Sequence, residues 1–498
     1  MKLLKCASID GIDAVSIDVE STFTKGLPSF SIVGMANTAI QESKDRIKSA
    51  LLTNEFKFPP KRITINLSPS EIAKKGSQVD LSIALLIALQ ETNINMDNFY
   101  VFGELGLNGN LKDTKSIFVL ILSLVRQGNI KNVLIPKESV NKISTIPNIN
   151  IYAVSTLSQA IDFFHKEDKS IYKVDNKIFT HQHININNSK YFYTQKYDLD
   201  FKDIKGQTIA KKAALISAAG NHNIILEGSP GCGKSMIAKR LKYITSPMNL
   251  EEILDIAKME SLQGKHPDFV PQRTFISPHH SSTKASIVGG TQIGEVALSN
   301  HGILFFDELP HYAKSILEAM REPLEDNEIS ISRVNSKIKY PTMFLFVCAM
   351  NPCPCGNLLA KSKVCRCSDI EKQRYKNKIS DPFLDRIDLY VTMNEVTKDD
   401  ISDVTSEQLH KKVIESFKIQ KLRGQTQLNG KLNDVDILKY CILTSNAQNI
   451  LDISIQKFAL SFRAINKVLK VARTIADLNK NELIDTKHII EALSYRKR

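Results

Sequence analysis

The chain has 498 residues, 42% of them apolar, enough to give two or three domains a full core each and too many for one ordinary domain. Its 66 Lys and Arg against 53 Asp and Glu leave a formal charge of +13, which suits a polyanionic partner such as nucleic acid and equally suits a solvated surface. No stretch approaches the roughly 18 uncharged apolar residues of a membrane span, the opening MKLLKCASIDGIDAVSIDVE has no apolar run of signal-peptide length, and four of the eight cysteines sit in one cluster, which makes no disulfide framework. A cytoplasmic protein with no membrane partner is expected.

Residues 1–165 mix short β-like runs, such as RITINLS at 62–68, with an apolar helical stretch, LSIALLIAL at 81–89, and read as an α/β domain. The tract 166–197, KEDKSIYKVDNKIFTHQHININNSKYFYTQKY, is polar, has no sustained period and reads as a linker. His181 and His183 in it have no Cys or carboxylate framework beside them and read as solvated. Over 198–396, short apolar runs alternate with helical patterns, the signature of a parallel sheet. From 397 to 498 the pattern is helical; in SFRAINKVLKVARTIADL (461–478), Ile465, Val468, Leu469, Ala472, Ile475 and Ala476 share one helix face.

Residues 224–235, IILEGSPGCGKS, run from an apolar strand through GxxxxGKS into the helix-like MIAKRLKYI. In that context the pattern is a phosphate-binding loop. Gly228, Ser229, Pro230, Gly231, Cys232 and Gly233 turn backbone N–H groups toward phosphates, and the helix N-terminus adds positive potential. Lys234 is expected at the β and γ phosphates of ATP, and Ser235 on Mg²⁺. GILFFDEL (302–309) is a buried strand ending in two carboxylates: Asp307 suits the Mg²⁺ site, and Glu308 suits orienting or deprotonating the attacking water. MFLFVCAMN (343–351) delivers Asn351 in the same way, to sense the γ-phosphate or hold the lytic water. Phosphoryl transfer gains from a cation over the developing charge, a place open to Arg386 in DPFLDRIDLYV or Arg463 at the head of the C-terminal amphipathic helix; each taken alone also reads as a surface arginine. EISISRVNSKIKYP (328–341) alternates Ile329, Ile331 and Ile338 around a polar middle and reads as a β-hairpin.

Together these residues resemble an AAA+ ATPase, with GSPGCGKS as Walker A, ILFFDE as Walker B, Asn351 as sensor 1 and Arg463 as sensor 2 on a helical lid. PHHSSTKASIVGG (278–290), GEVALSNHGILFFDELP (294–310), REPLEDNEISISR (321–333), AMNPCPCG (349–356) and FLDRIDLYV narrow the resemblance to the magnesium-chelatase D/I family, ComM (YifB) subfamily. The resemblance implies an AAA+ core of the helix-2-insert type, with a candidate insert at 279–296 that contains Lys284. It also implies that the hairpin projects into a central pore, making Arg333, Lys337 and Lys339 candidate contacts to DNA phosphates beside Lys284 of the insert, sensitive to salt and blind to sequence. Arg386 then resembles a finger given to a neighbour's ATP, which implies a homo-oligomeric, hexameric ring.

The activity implied is that of an ATP-driven DNA helicase that migrates branches in homologous recombination or natural transformation, on branched or single-stranded DNA. A chelatase-type motor remodelling a protein partner is the alternative, although the chain has no DxSxS motif of the metal-adhesion type. The first domain resembles the Lon-protease and ribosomal S5-like fold through GELGLNGNLKDTKSIFVLILSLVRQGNIKNVLIP (103–136) and KKGSQVDLSIALLIAL (74–89). A Lon-like protease is disfavoured. Phe118 falls where the dyad lysine belongs and Asp80 near the serine position, with Ser77 and Lys115 as neighbours that another alignment would nominate. The expected fold is thus α/β: an S5/Lon-like N-terminal domain (1–165), the linker (166–197), an AAA+ parallel-sheet P-loop core (198–396) and a helical lid (397–498).

Cys353, Cys355, Cys365 and Cys367 follow Asn351 with the spacing C-x-C-x9-C-x-C. Four thiolates could enclose a tetrahedral structural Zn²⁺, although C-x-C is tighter than the usual C-x2-C knuckle. Reduced buried thiols are the other reading, and disulfides suit a cytosolic chain poorly.

Overall fold

The computed structural model describes residues 2–290, 292–333, 336–397, 400–402 and 404–496. They fall into two compact units, Met1–Thr180 with Ala257–Asp268, and His181–Ile256 with Phe269–Arg498.

The first unit is built on an eight-stranded mixed sheet. Its strands are β1 (Lys2–Asp10), β2 (Asp13–Thr24), β3 (Ser29–Val33), β4 (Arg62–Ser68), β5 (Phe99–Val101), β6 (Asn132–Pro136), β7 (Asn150–Val154) and β8 (Lys173–Val174), in the order β8-β7-β6-β5-β1-β2-β4-β3. In β4 the period of two is visible side chain by side chain: Ile63, Ile65 and Leu67 are fully buried, while their neighbours reach the other face. The helix Asp80–Ala88 is apolar apart from Asp80 and Ser82 and is buried on all sides, and the helix Thr38–Thr53 is capped by Asn37, whose side chain accepts from the Ile40 N–H.

The second unit holds a five-stranded, all-parallel sheet. In chain order its strands are β9 (Ile224–Gly228), β10 (Phe275–Ile276), β11 (Ile303–Phe306), β14 (Leu345–Met350) and β15 (Leu389–Met393), arranged β10-β11-β14-β9-β15. Between β11 and β14 in sequence lies the hairpin of β12 (Glu328–Arg333) and β13 (Ser336–Pro341). β9, β11 and β14 are buried along their whole length, as parallel strands covered on both faces must be, which is why their sequences read as unbroken apolar runs.

Five helices, Ser406–Leu422, Asp434–Tyr440, Ser445–Phe458, Phe462–Leu478 and Thr486–Ser494, make the C-terminal region. The helix Phe462–Leu478 packs against Thr208–Gly220, and their apolar residues share one core with the sheet. Buried polar bonds tie the same layers: His222 Nε2 lies 2.7 Å from Thr474 Oγ1, and the Asn223 N–H donates to Asp388 at 2.9 Å. The polar tract 166–197 contains, besides β8, the short strands His183–Ile186 and Ser189–Phe192, joined by Asn187 and Asn188 in left-handed conformation, φ 49° and 63°.

Candidate functional site

Three neighbouring strands release their polar ends at one edge of the parallel sheet. β9 runs into the turn Ser229–Gly233 and the helix Lys234–Leu241. Gly231 and Gly233 have φ of +81° and +95°, where a side chain would be strained, and a Cβ at either would meet nothing within 4 Å, so the loop opens on free space. Lys234 Nζ donates to the Gly228 carbonyl (2.6 Å), the Ser229 carbonyl (3.0 Å) and Asn351 Oδ1 (3.0 Å). Ser235 Oγ donates to Asp307 Oδ2 at 2.9 Å. The structure therefore brings together the residues expected to hold phosphates, those expected to hold Mg²⁺ and the expected sensor. Burial lowers the pKa of Lys234, opposed by nearby charges including Asp307.

Glu308 is exposed, with φ 52° and ψ 49°, a left-handed conformation that costs a non-glycine residue about 1–2 kcal/mol; its N–H donates to Asp307 Oδ1 at 3.0 Å. Such outliers cluster at active sites. His280 Nδ1 approaches Glu308 Oε2 at 3.8 Å, and the Tyr312 hydroxyl donates to the Pro278 carbonyl at 2.7 Å, fastening the segment that carries His280 beside the acidic pair.

The two arginines are placed at the other end of the sheet. Arg386 precedes β15 and Asn223 precedes β9, and the Asn223 side chain donates to the Arg386 carbonyl at 3.1 Å. Arg386 pairs with Glu325 and donates from Nε to the Arg321 carbonyl. Arg463 Nη2 pairs with the same carboxylate at 2.6 Å. Both line a cavity of about 490 Å³ together with Lys467 and Lys470. The structure thus separates Arg463 from Lys234 and joins it to Arg386.

Of the expected DNA contacts, Lys284 and Lys337 are exposed, and Lys339 is also exposed but pairs with Glu328 at 2.7 Å. Arg333 ends β12, its backbone opposite Ser336. One face of the hairpin is buried through Ile329, Ile331 and Tyr340, and Ile331 packs onto Gly289 of the expected insert, where a Cβ would lie 2.3 Å from Ile331 Cδ1.

All eight cysteines are free thiols in the structure. The sulfurs of Cys353, Cys355, Cys365 and Cys367 lie within 4.8 Å of one another, with Cys353–Cys355 at 3.5 Å and Cys365 at 3.7 Å from each of them. Ligands 2.3 Å from a tetrahedral zinc would stand about 3.8 Å apart, so the donor set fits that ion.

In the first unit, Ser77 Oγ donates to Glu104 and Phe118 is fully buried. Asp80 is buried against Arg46, whose Nε reaches it at 2.9 Å, and against Ser43; burial raises its pKa, opposed by these partners. Lys115 lies against Gly264. Sequence reasoning passed over Glu325 and His280. The doubled histidine of PHHSS was the available signal for His280, whereas Glu325 is one acid among several in REPLEDNE.

A phosphate loop after one strand, an acidic pair after a second and a polar tip after a third, on a parallel sheet with a helical C-terminal region, define an AAA+ type P-loop protein. The chain matches the family described as "Magnesium chelatase, subunit ChlI" over residues 200–401, "Subunit ChlI of Mg-chelatase" over 19–139 and the ChlI C-terminal region over 403–496. It is 35% identical to Competence protein ComM of Haemophilus influenzae, over 98% of this chain and 95% of that protein. Uncharacterized protein YifB of Escherichia coli (33%; 98% and 95% covered) and uncharacterized protein Rv2897c of Mycobacterium tuberculosis (30%; 98% and 97%) are similar over the same extent. The chain belongs to the magnesium-chelatase ChlI family of AAA+ ATPases, within its ComM subfamily. Among the described residues no helix is long and apolar enough to cross a membrane.

Proposed function

We propose that this ATPase is a ring motor that moves branched DNA. The phosphate loop and Lys234 hold the triphosphate. Ser235 and Asp307 would hold Mg²⁺, which would supply charge neutralisation at the phosphates, and Glu308 orients and deprotonates the attacking water with Asn351 beside it. The observation that carries the ring is the opposition of the two ends of the sheet: Lys234 and Asp307 stand at one, Arg386 and Arg463 at the other. In a head-to-tail assembly, the arginine end of one subunit faces the ATP end of the next, and such an interface makes a ring when its rotation closes. A hexamer follows the family, with the two arginines serving the neighbour's γ-phosphate.

DNA as the moving partner is supported by the surplus of 13 positive charges, by exposed Lys284 and Lys337 on packed segments, and by similarity to a protein named for competence. An S5/Lon-like character of the first unit, a helix-2 insert at 279–296 and structural zinc on the four cysteines belong to the same proposal. A protein-remodelling motor of the chelatase kind is the competing reading, and the family match supports it as much as the DNA motor. The two part on one experiment: ATP turnover with and without four-way-junction DNA, wild type against Glu308→Gln. Turnover raised by the junction and lost in the variant is expected, and turnover indifferent to DNA overturns the DNA motor.

A further inference from the structure

The segment that carries the cysteine cluster touches the phosphate loop. The segment 351–368, from the expected sensor Asn351 to the helix Asp369–Lys376, contains neither helix nor strand. It begins beside Lys234 and passes over the phosphate loop at Gly356, where a Cβ would sit 2.6 Å from Pro230 Cδ. It is then anchored beyond β15, where Glu395 accepts from the Lys361 N–H (2.8 Å), the Ser362 N–H (3.0 Å) and the Ser362 hydroxyl (2.9 Å). Between this strap and the phosphate loop lies a cavity of about 570 Å³, lined by Ser229–Cys232 on one side and by Asn357, Lys361 and Lys363 on the other. Ser229 Oγ, on its floor, is buried with no partner among the described residues.

The strap has no apolar core to hold that shape. Leu358 and Leu359 are exposed, and Val364 is 83% exposed. A long irregular segment pays for its ordering with contacts, and here the converging groups are the four thiols, a donor set that organises chain when it binds zinc.

We propose that Cys353, Cys355, Cys365 and Cys367 hold a zinc-class divalent ion whose role is to shape one wall of the nucleotide pocket, so that affinity for ATP depends on metal. Lys361 and Lys363 are the cations that this wall brings to the nucleotide. The inference rests on the cavity beside the phosphate loop being the ATP site.

The test is nucleotide affinity measured beside metal content on the full-length protein, with a fluorescent ATP analogue. One zinc per chain is expected. Stripping zinc with a chelator weakens nucleotide binding, because the strap loses the ion that organises it, and zinc added back restores it. Cys365→Ser with Cys367→Ser lacks zinc and binds as weakly, with thermal melting confirming that the rest of the chain stays folded. Lys361→Ala with Lys363→Ala keeps zinc and binds more weakly. Purified protein without zinc, or affinity unchanged on stripping, overturns the inference and leaves the ATPase reading standing. Zinc-loaded wild type that binds no nucleotide overturns both.

Discussion

Arg386 and Arg463 meet on one carboxylate, Glu325, one at each oxygen: Arg386 is 10% exposed and held by the Arg321 carbonyl, and Arg463 is 65% exposed on the first turn of its helix. Both stand at the end of the sheet away from Lys234, so neither is placed to serve the ATP of its own subunit. In the proposed ring each would serve the next subunit. Arg386→Ala is expected to lower turnover about a thousandfold, the scale of an arginine finger, with nucleotide affinity little changed. Mixing Arg386→Ala with Glu308→Gln subunits is expected to restore activity, because some interfaces then pair an intact glutamate with an intact arginine. Measured turnover of the mixture no higher than that of either variant alone would contradict action between subunits.

The hairpin supports an unequal prediction for two lysines on the same strand. Lys337 is exposed, whereas Lys339 is paired with Glu328 at 2.7 Å, so part of its field is already neutralised. Lys337→Ala should weaken DNA binding uniformly across sequences and reduce the slope of log affinity against log salt by about one, and Lys339→Ala should do less. Fluorescence anisotropy over a salt series checks both. Losses confined to one sequence would argue for base readout.

The C-terminal region has its own pH signature. His410 is 3% exposed, with the Tyr197 hydroxyl 3.0 Å from Nδ1. Burial pushes its pKa down to about 4, against an opposing hydrogen bond with the Thr245 backbone. A folded pKa below the unfolded value means that the unfolded state binds the proton first. The stability is therefore complete above about pH 6.5 and is lost as pH falls toward about 4, by about 3 kcal/mol from this group. Denaturant titrations of wild type and His410→Gln across that window should show a shallower decline in the variant. Parallel curves would mean that His410 charges in the folded state as easily as in water.

Much of this could be read from residues alone where the cause is local. RITINLS is a strand because its apolar residues alternate, and β4 occupies the same positions, Arg62–Ser68. GxxxxGKS fixes its own geometry through Gly231 and Gly233 at positive φ. What stayed hidden depends on distant chain. The tract 166–197 contains the strands His183–Ile186 and Ser189–Phe192, too short and polar to show a period, although the Asn187–Asn188 pair is a hairpin turn signal. Nothing in sequence places Arg463 beside Arg386 or gives both to Glu325, since the packing of the helix Phe462–Leu478 on Thr208–Gly220 decides where its first turn points. The cysteines declared themselves by spacing, but the approach of their segment to the phosphate loop, Gly356 against Pro230, is tertiary.

The most direct measurement follows the strands themselves: the rate at which a labelled four-way junction with mobile arms is resolved into duplexes, with ATP or a non-hydrolysable analogue, by wild type and Glu308→Gln. A DNA-moving ring predicts resolution by the wild type only with ATP, and a variant slower by about 100-fold or more, the scale of a lost general base. A junction that stays intact while the wild type hydrolyses ATP, or one resolved equally well by the variant, would contradict it.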